Sequence, residues 1–319
     1  MRYLVTGCAG FIGSTLTDSL LADGHEVVGV DCFSTYYDPA FKQRNIAGAR
    51  EHASFALHEL DLAGDDLPGS ALDVDGVFHL AAQAGVRASW GREFETYTGA
   101  NVLATQRVLE AAANAGTPPS VVYASSSSIY GNAMARPTRE DALPSPVSPY
   151  GVTKLAAEHL CETYAHNFGL RTVSLRFFTV FGPRQRPDMA FHKFTRAALQ
   201  GTQITIFGDG NQTRDFTFVD DIVAANRAAM DSADARGAYN LGGGTTVTVR
   251  ETLAMLEDIV GKPLDVTYGD AQLGDVLHTS ADTSRAERDL GFAPKVDLRT
   301  GLEREVAWMR ELLAAGVVS

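Results

Sequence analysis

Cysteine is scarce: Cys8, Cys32 and Cys161 are the only three in 319 residues, an odd number with no CxxC or His-rich spacing, so neither a disulfide framework nor a metal site is expected. They read as small core residues. Positive charge is also short, with 27 Lys and Arg against 39 Asp and Glu and a formal net charge of −12. That balance argues against nucleic acid or an acidic membrane surface as a general partner, and an anionic substrate would need a local cluster of arginines. No apolar run approaches the roughly 20 residues that span a bilayer. The opening MRYLVTG reads as a buried strand running into a glycine turn, not as a signal peptide, so a cytosolic protein is expected. Internal repeats and low-complexity segments are absent too. What remains is an ordinary globular composition, 45% hydrophobic, enough for one large domain or two modest ones.

Through about residue 180, short apolar β-type runs alternate with longer helical ones, which predicts an α/β fold with a doubly wound parallel sheet covered by helices on both faces. Strands are expected at Tyr3–Thr6, Glu26–Asp31, Ser54–Leu60, Gly76–Leu80, Ser120–Ser125 and Thr172–Phe177, and helices near Ser14–Asp23, Asn101–Ala115 and Tyr150–Asn167. After Phe181 the rhythm becomes shorter and mixed: an Arg/Pro-rich loop, a helix from about Ala190, a strand Gln203–Phe207, then further pairs. Residues 181–319 are assigned mainly to a smaller mixed α/β lobe over a substrate. A strand and helix near 215–240 are expected to return to the first domain, residues 1–180.

Gly7-Cys8-Ala9-Gly10-Phe11-Ile12-Gly13 follows the first strand directly and opens the first helix. Small residues there let backbone approach a pyrophosphate at a helix N-terminus, with Gly7, Gly10, Phe11, Ile12 and Gly13 as contacts. Asp31 ends the second strand at close to the spacing of a carboxylate that binds adenosine ribose hydroxyls. It would repel a 2′-phosphate, so NAD is favoured over NADP. Asp61 and Leu62 after the third strand, and Leu80, Ala81 and Ala82 after the fourth, also fall at strand C-termini, where a cofactor crosses such sheets.

Tyr150-Gly-Val-Thr-Lys154 puts a phenol and an ammonium one helical turn apart on one face. A nearby cation favours phenolate, so Lys154 is expected to draw the Tyr150 pKa down and to hold the nicotinamide ribose. The run Ala124-Ser125-Ser126-Ser127-Ser128-Ile129-Tyr130-Gly131 ends the fifth strand, where hydroxyls can orient a reacting oxygen toward Tyr150.

TGCAGFIGS, FHLAAQAGVR, SSSSIYG, SPYGVTK, LRFFTVFGPRQRPDMA, FGDGNQTRDFTFVDDI and GDVLHTSADTS together resemble the extended short-chain dehydrogenase/reductase family, specifically its nucleotide-sugar epimerases, over almost the entire chain. The resemblance implies that Ser126, Tyr150 and Lys154 are the catalytic Ser-Tyr-Lys set and that Ser127 and Ser128 touch substrate. It implies that Asn101 steadies the active-site segment and that the protein forms a homodimer through the helices near Asn101–Ala115 and Tyr150–Asn167. Dehydratase relatives carry an Asp-Glu pair in the serine loop; serines stand there here, which disfavours dehydration.

Arg184, Arg186 and Arg214 are the candidates for a diphosphate, since guanidinium forks suit it. Where hexose epimerases carry a second arginine, this chain has Gln272 before Gly274-Asp275, a departure from the simple galactose-type pattern. STYYDPAFK, QAGVR, FFTVFGPRQRPDMA and the QxGDV segment look most like UDP-glucuronate 4-epimerases. Thr179 and the Ser126–Ser128 loop would then accept the sugar carboxylate, with Arg87 and the PRQR arginines adding positive potential. UDP-glucuronate decarboxylation, UDP-glucose 4-epimerisation and a non-catalytic NAD-sensing scaffold are the competing readings.

Overall fold

The computed structural model describes residues 1–317 except Met134, Ala271, Leu273 and Asp275. Six strands, β1 (Arg2–Thr6), β2 (Glu26–Asp31), β3 (Phe55–Glu59), β4 (Gly76–His79), β5 (Ser120–Ser126) and β6 (Thr172–Phe177), alternate with helices. These are α1 (Phe11–Ala22), α2 (Pro39–Asn45), α3 (Ala47–Arg50), α4 (Phe94–Tyr97), α5 (Ala104–Ala113) and α6 (Pro149–Phe168). Further on come β7 (Thr179–Phe181), α7 (Ala190–Gln200), β8 (Ile204–Phe207), β9 (Thr213–Phe218), α8 (Val219–Asp231), β10 (Gly237–Leu241) and β11 (Thr246–Thr248). The chain then closes with α9 (Val249–Val260), β12 (Val266–Gly269), α10 (Ser284–Leu290) and α11 (Leu298–Ala314).

The main sheet has seven parallel strands in the order β10-β6-β5-β4-β1-β2-β3. Alternate side chains feed two cores, as a sheet covered on both faces requires. Tyr3, Val5, Phe78, Val122 and Ala124 face one core, with Leu16 and Leu20 of α1 and Ile222 and Ala225 of α8. Leu4, Val77, Val121 and Tyr123 face the other, with Val108 and Leu109 of α5 and Ala157 and Cys161 of α6. The strand order reverses between β1 and β4, and the C-terminal ends of those strands open a crevice there.

The return to the main sheet is made by α8 and β10, which pairs with β6. β9, which begins the expected return segment, instead pairs with β7 and β11 in a separate three-stranded sheet, and β8 pairs with β12 in a third. Cys8 and Cys161 are buried, but Cys32 is exposed just past the end of β2, contrary to the expectation of a third core cysteine. Among the described residues, no helix is long and apolar enough to cross a membrane.

Candidate active site

At the end of β1 the chain turns through Gly7 with φ 69°. A Cβ on Gly7 would lie 2.8 Å from the Ala81 amide nitrogen, and one on Gly13 only 2.0 Å from the Gly7 carbonyl oxygen, so neither position tolerates a side chain. Gly10 caps α1 with no side-chain bond, which leaves the first-turn N–H groups at Phe11, Ile12 and Gly13 available to an anion. Asp31, 5% exposed, closes β2. Its carboxylate accepts the Phe33 N–H at 2.9 Å, the Ala9 N–H at 3.2 Å and the Lys42 ammonium at 2.9 Å. Asn45, one turn beyond Lys42 on α2, donates to the Ala9 carbonyl at 3.1 Å and ties that helix to the glycine loop.

A cleft of about 460 Å³ crosses the sheet above these elements. Gly7, Gly10, Phe11, Ile12, Gly13 and Asp31 line it from β1 and β2; Asp61, Leu62, Leu80, Ala81 and Ala82 line it from β3 and β4; Tyr150, Lys154 and Arg186 line it beyond β5. A glycine-rich anion cradle at a helix N-terminus, with a buried carboxylate at the end of the next strand, is a donor and acceptor set that fits a dinucleotide.

Ser148 caps α6 by accepting the Gly151 N–H at 3.2 Å, and Pro149 presets the first helical turn. A Cβ on Gly151 would stand 2.5 Å from the Ser128 carbonyl oxygen, so glycine lets α6 press against the serine loop. Ser126 accepts the Ser128 N–H at 3.1 Å, which leaves its own proton to be donated toward the neighbouring Tyr150 phenol. The Tyr150 ring meets Tyr97 edge-on at 6.2 Å, and the Tyr97 hydroxyl is fixed on the Gly85 carbonyl at 2.7 Å. Burial raises the Tyr150 pKa, and the Ser126 bond and the Arg186 charge work against that rise.

The Tyr150 pKa is raised by burial and not drawn down by Lys154 as the sequence reading expected. The Lys154 ammonium donates to the Ala124 carbonyl at 2.7 Å and lies 5.0 Å over the Tyr123 ring, so its charge is engaged by the end of β5. Burial pushes the Lys154 pKa down to about 7. The cation that favours the phenolate is Arg186, held by two bonds to Asp188 at 2.9 and 3.0 Å.

Two polar networks pin this trio, one through Asn101, already a candidate from the sequence, and one through Glu158, which the sequence reading did not name. Asn101 accepts the Gln83 N–H at 2.7 Å and donates to the Gln83 carbonyl at 3.0 Å and to Thr153 at 2.9 Å; Thr153 donates to the Tyr150 carbonyl at 2.8 Å. Asn101 thus clasps the segment after β4 to the catalytic helix. From the other side, Ser125 donates to Glu158 at 2.7 Å, and Glu158 pairs with buried Arg176 on β6. The signal available in the sequence was Glu158 itself, one turn past Lys154 on the same helix face.

The remaining candidates scatter. Ser127 and Ser128 form the first turn of a short 3₁₀ helix, and Thr179 opens β7; all three are half-buried and outside the lining of the cleft. Arg87 stacks over Phe207 at 4.5 Å, between the segment after β4 and the end of β8. Arg214 lies on β9 and donates to the Leu277 carbonyl at 3.2 Å. Arg184 adopts φ 70° and reaches Asp18 on α1 at 2.7 Å, so it is not brought to the cleft with Arg186. Gln272 is exposed and donates to the Asp270 carbonyl at 3.3 Å. Asp275 lies outside the described residues.

Residues 3–242 match the model of the NAD dependent epimerase/dehydratase family. The chain is 41% identical over 314 residues to a Bacillus subtilis (strain 168) protein named as an uncharacterized UDP-glucose epimerase, YtcB, covering 98% of this chain and 99% of that one. It is 36% identical to the UDP-glucuronate 4-epimerase of Thermodesulfobacterium geofontis, over 97% of this chain and 96% of the relative. Among solved structures, UDP-glucuronic acid 4-epimerase from Bacillus cereus in complex with UDP-glucuronic acid and NAD superposes with a TM-score of 0.94 at 41% identity, covering 98% and 100% of the two chains.

Proposed function

The chain belongs to the NAD dependent epimerase/dehydratase family, and we propose that it is an NAD-dependent UDP-sugar 4-epimerase that interconverts UDP-glucuronate and UDP-galacturonate. The observation that carries this reading is the convergence, in one cleft, of the glycine cradle, the Asp31 carboxylate and the Tyr150–Lys154 pair. The relatives named for UDP-glucuronate support the substrate. UDP-glucose is the second reading, favoured by the name of the B. subtilis relative.

Gly7, Gly10, Gly13 and Asp31 would hold NAD in the cleft, and that cofactor would supply the hydride acceptor and donor of a reaction with no net redox change. Tyr150 takes the proton of the sugar C4 hydroxyl while Ser126 donates to the phenolic oxygen and steadies its charge. Arg186, immobilised by Asp188, adds positive potential at the same oxygen. Lys154, on α6 with its ammonium at the end of β5, would hold the nicotinamide ribose. The proton stays on Tyr150 until the 4-keto sugar has rotated about its bonds to the diphosphate, and the phenol then returns it to the C4 oxygen as C4 is reduced from its other face.

Residues 1–180, with α8 and β10 returning to the main sheet, form the NAD-binding body in this reading, and the rest of residues 181–319 mainly covers the nucleotide sugar. Two copies pair through α5 and α6, whose neighbourhood exposes Trp90, Phe94, Leu103 and Val152. Tyr150→Phe tests the enzyme reading. Loss of general-base catalysis is expected to cut turnover by at least about 10²-fold, with bound NAD retained. A variant that keeps full turnover would remove Tyr150 as the base, and a natural chain with no turnover on either UDP-sugar would move the protein to the scaffold reading.

A further inference from the structure

Lys42 belongs to none of the roles above, yet it lines the cleft beside Asp31, Cys32 and Ser34 and is only 8% exposed. A buried ammonium needs a partner, and it has one in Asp31 at 2.9 Å; its contact with Ser34 is long, at 3.5 Å, and the Tyr37 ring lies 5.7 Å away. Of its three N–H donors one is therefore committed to Asp31. Asp31 in turn accepts three donors, Ala9 N–H, Phe33 N–H and Lys42, out of about four acceptor sites on a carboxylate. One acceptor remains for a ribose hydroxyl.

We propose that Lys42 is a second determinant of cofactor choice: a latent receptor for a 2′-phosphate, whose charge the Asp31 carboxylate occupies. Rejection of the phosphorylated dinucleotide then rests on one negative charge and not on the size of the pocket. Asn at position 31 keeps the shape of the side chain but removes its charge. The Lys42 ammonium, held in place by α2 and by the Asn45 anchor, becomes an unpaired cation at the ribose edge, and a phosphate dianion is the ligand that satisfies it. This inference rests on the NAD reading above.

The test is to purify the intact protein and its Asp31→Asn, Lys42→Met and doubly substituted forms, release the bound dinucleotide, and measure NAD(H) and NADP(H) by chromatography, alongside direct titration with NADP⁺. The natural chain should carry NAD. Asp31→Asn should raise the NADP-to-NAD ratio by at least about tenfold, the scale of one charge-assisted hydrogen bond, and the added Lys42→Met should return it to the starting ratio. Asp31→Ser provides the same charge removal should the asparagine variant fold poorly. A double variant that keeps the gain, or Asp31→Asn and Asp31→Ser variants that fold but show none, would overturn the proposal. A natural chain that neither carries nor binds either dinucleotide would instead overturn the NAD reading beneath it.

Discussion

Thr179 stands at the start of β7, where its backbone register is set by pairing with Phe216 of β9 and by the Phe178 N–H donating to the Leu241 carbonyl at 3.0 Å. A 4-keto glucuronate is a β-keto acid and loses CO₂ when its C5–C6 bond stands perpendicular to the carbonyl plane. An epimerase has to hold the carboxylate out of that alignment, which is orientational control by fixed contacts. Thr179→Val, which keeps the shape and removes the hydroxyl, should raise the ratio of decarboxylated to epimerised product; an unchanged ratio, read by mass spectrometry, would remove Thr179 from this role. The residues readable from sequence were those whose spacing fixes their geometry: Gly7 to Gly13 across a strand–helix junction, and Tyr150 with Lys154 one turn apart. Lys42 and Arg184 were not readable in this way. Both are long side chains whose direction is set by tertiary contacts, Asp31 for the one and a left-handed backbone facing Asp18 for the other.

The chain enters α5 through a π-helical turn at Thr98–Leu103 that contains Asn101. Apolar periodicity located this helix but not the extra residue in its turn, because one widened turn barely disturbs a 3.6-residue pattern. Its effect lies in where Asn101 and Thr105 point. Thr105 donates to the Asn101 carbonyl at 2.7 Å, so toward His79 Nε2, 3.0 Å away, it accepts; Thr6 accepts the Ala81 N–H at 3.2 Å and donates to His79 Nδ1 at 2.7 Å. These directions assign His79 as the neutral Nε2–H tautomer, linking β1, β4 and α5 under the cofactor crossing. Burial holds its pKa down to about 3. The unfolded chain takes this proton near pH 6.5 and the folded chain refuses it, so the contribution of His79 to stability is full above about pH 6.5 and is lost as pH falls toward 3, at about 1.4 kcal/mol per pH unit. Glu305, a buried carboxyl whose pKa burial raises well above its usual range, works in the opposite sense. Comparing the natural protein with His79→Gln isolates the histidine. The slope of unfolding free energy against pH between 6 and 5 should differ by about 1.4 kcal/mol per unit in urea titrations, and identical slopes would contradict the assignment.

At the scale of the whole molecule, the doubly wound sheet was legible because every strand buried on both faces reads as a short apolar run between helices. The two smaller sheets were not, since β7, β9 and β11, like β8 and β12, are joined only by contacts distant in sequence. The face around α5 and α6 leaves Leu103 and Val152 nearly half exposed, at 46% and 48%, and pairing of two copies there would bury them. Light scattering behind size exclusion should give a dimer mass for the natural chain and a monomer for the Leu103→Glu/Val152→Glu variant; a monomeric natural chain would contradict the pairing.

The central claim is that one cleft oxidises and re-reduces C4 of a nucleotide-linked uronic acid without letting the keto acid collapse. Its most direct test is incubation of the purified protein with UDP-glucuronate, followed by product mass and C4 stereochemistry by mass spectrometry and NMR. UDP-galacturonate of unchanged mass is expected. A product lighter by CO₂, or turnover of UDP-glucose with none of UDP-glucuronate, would contradict it.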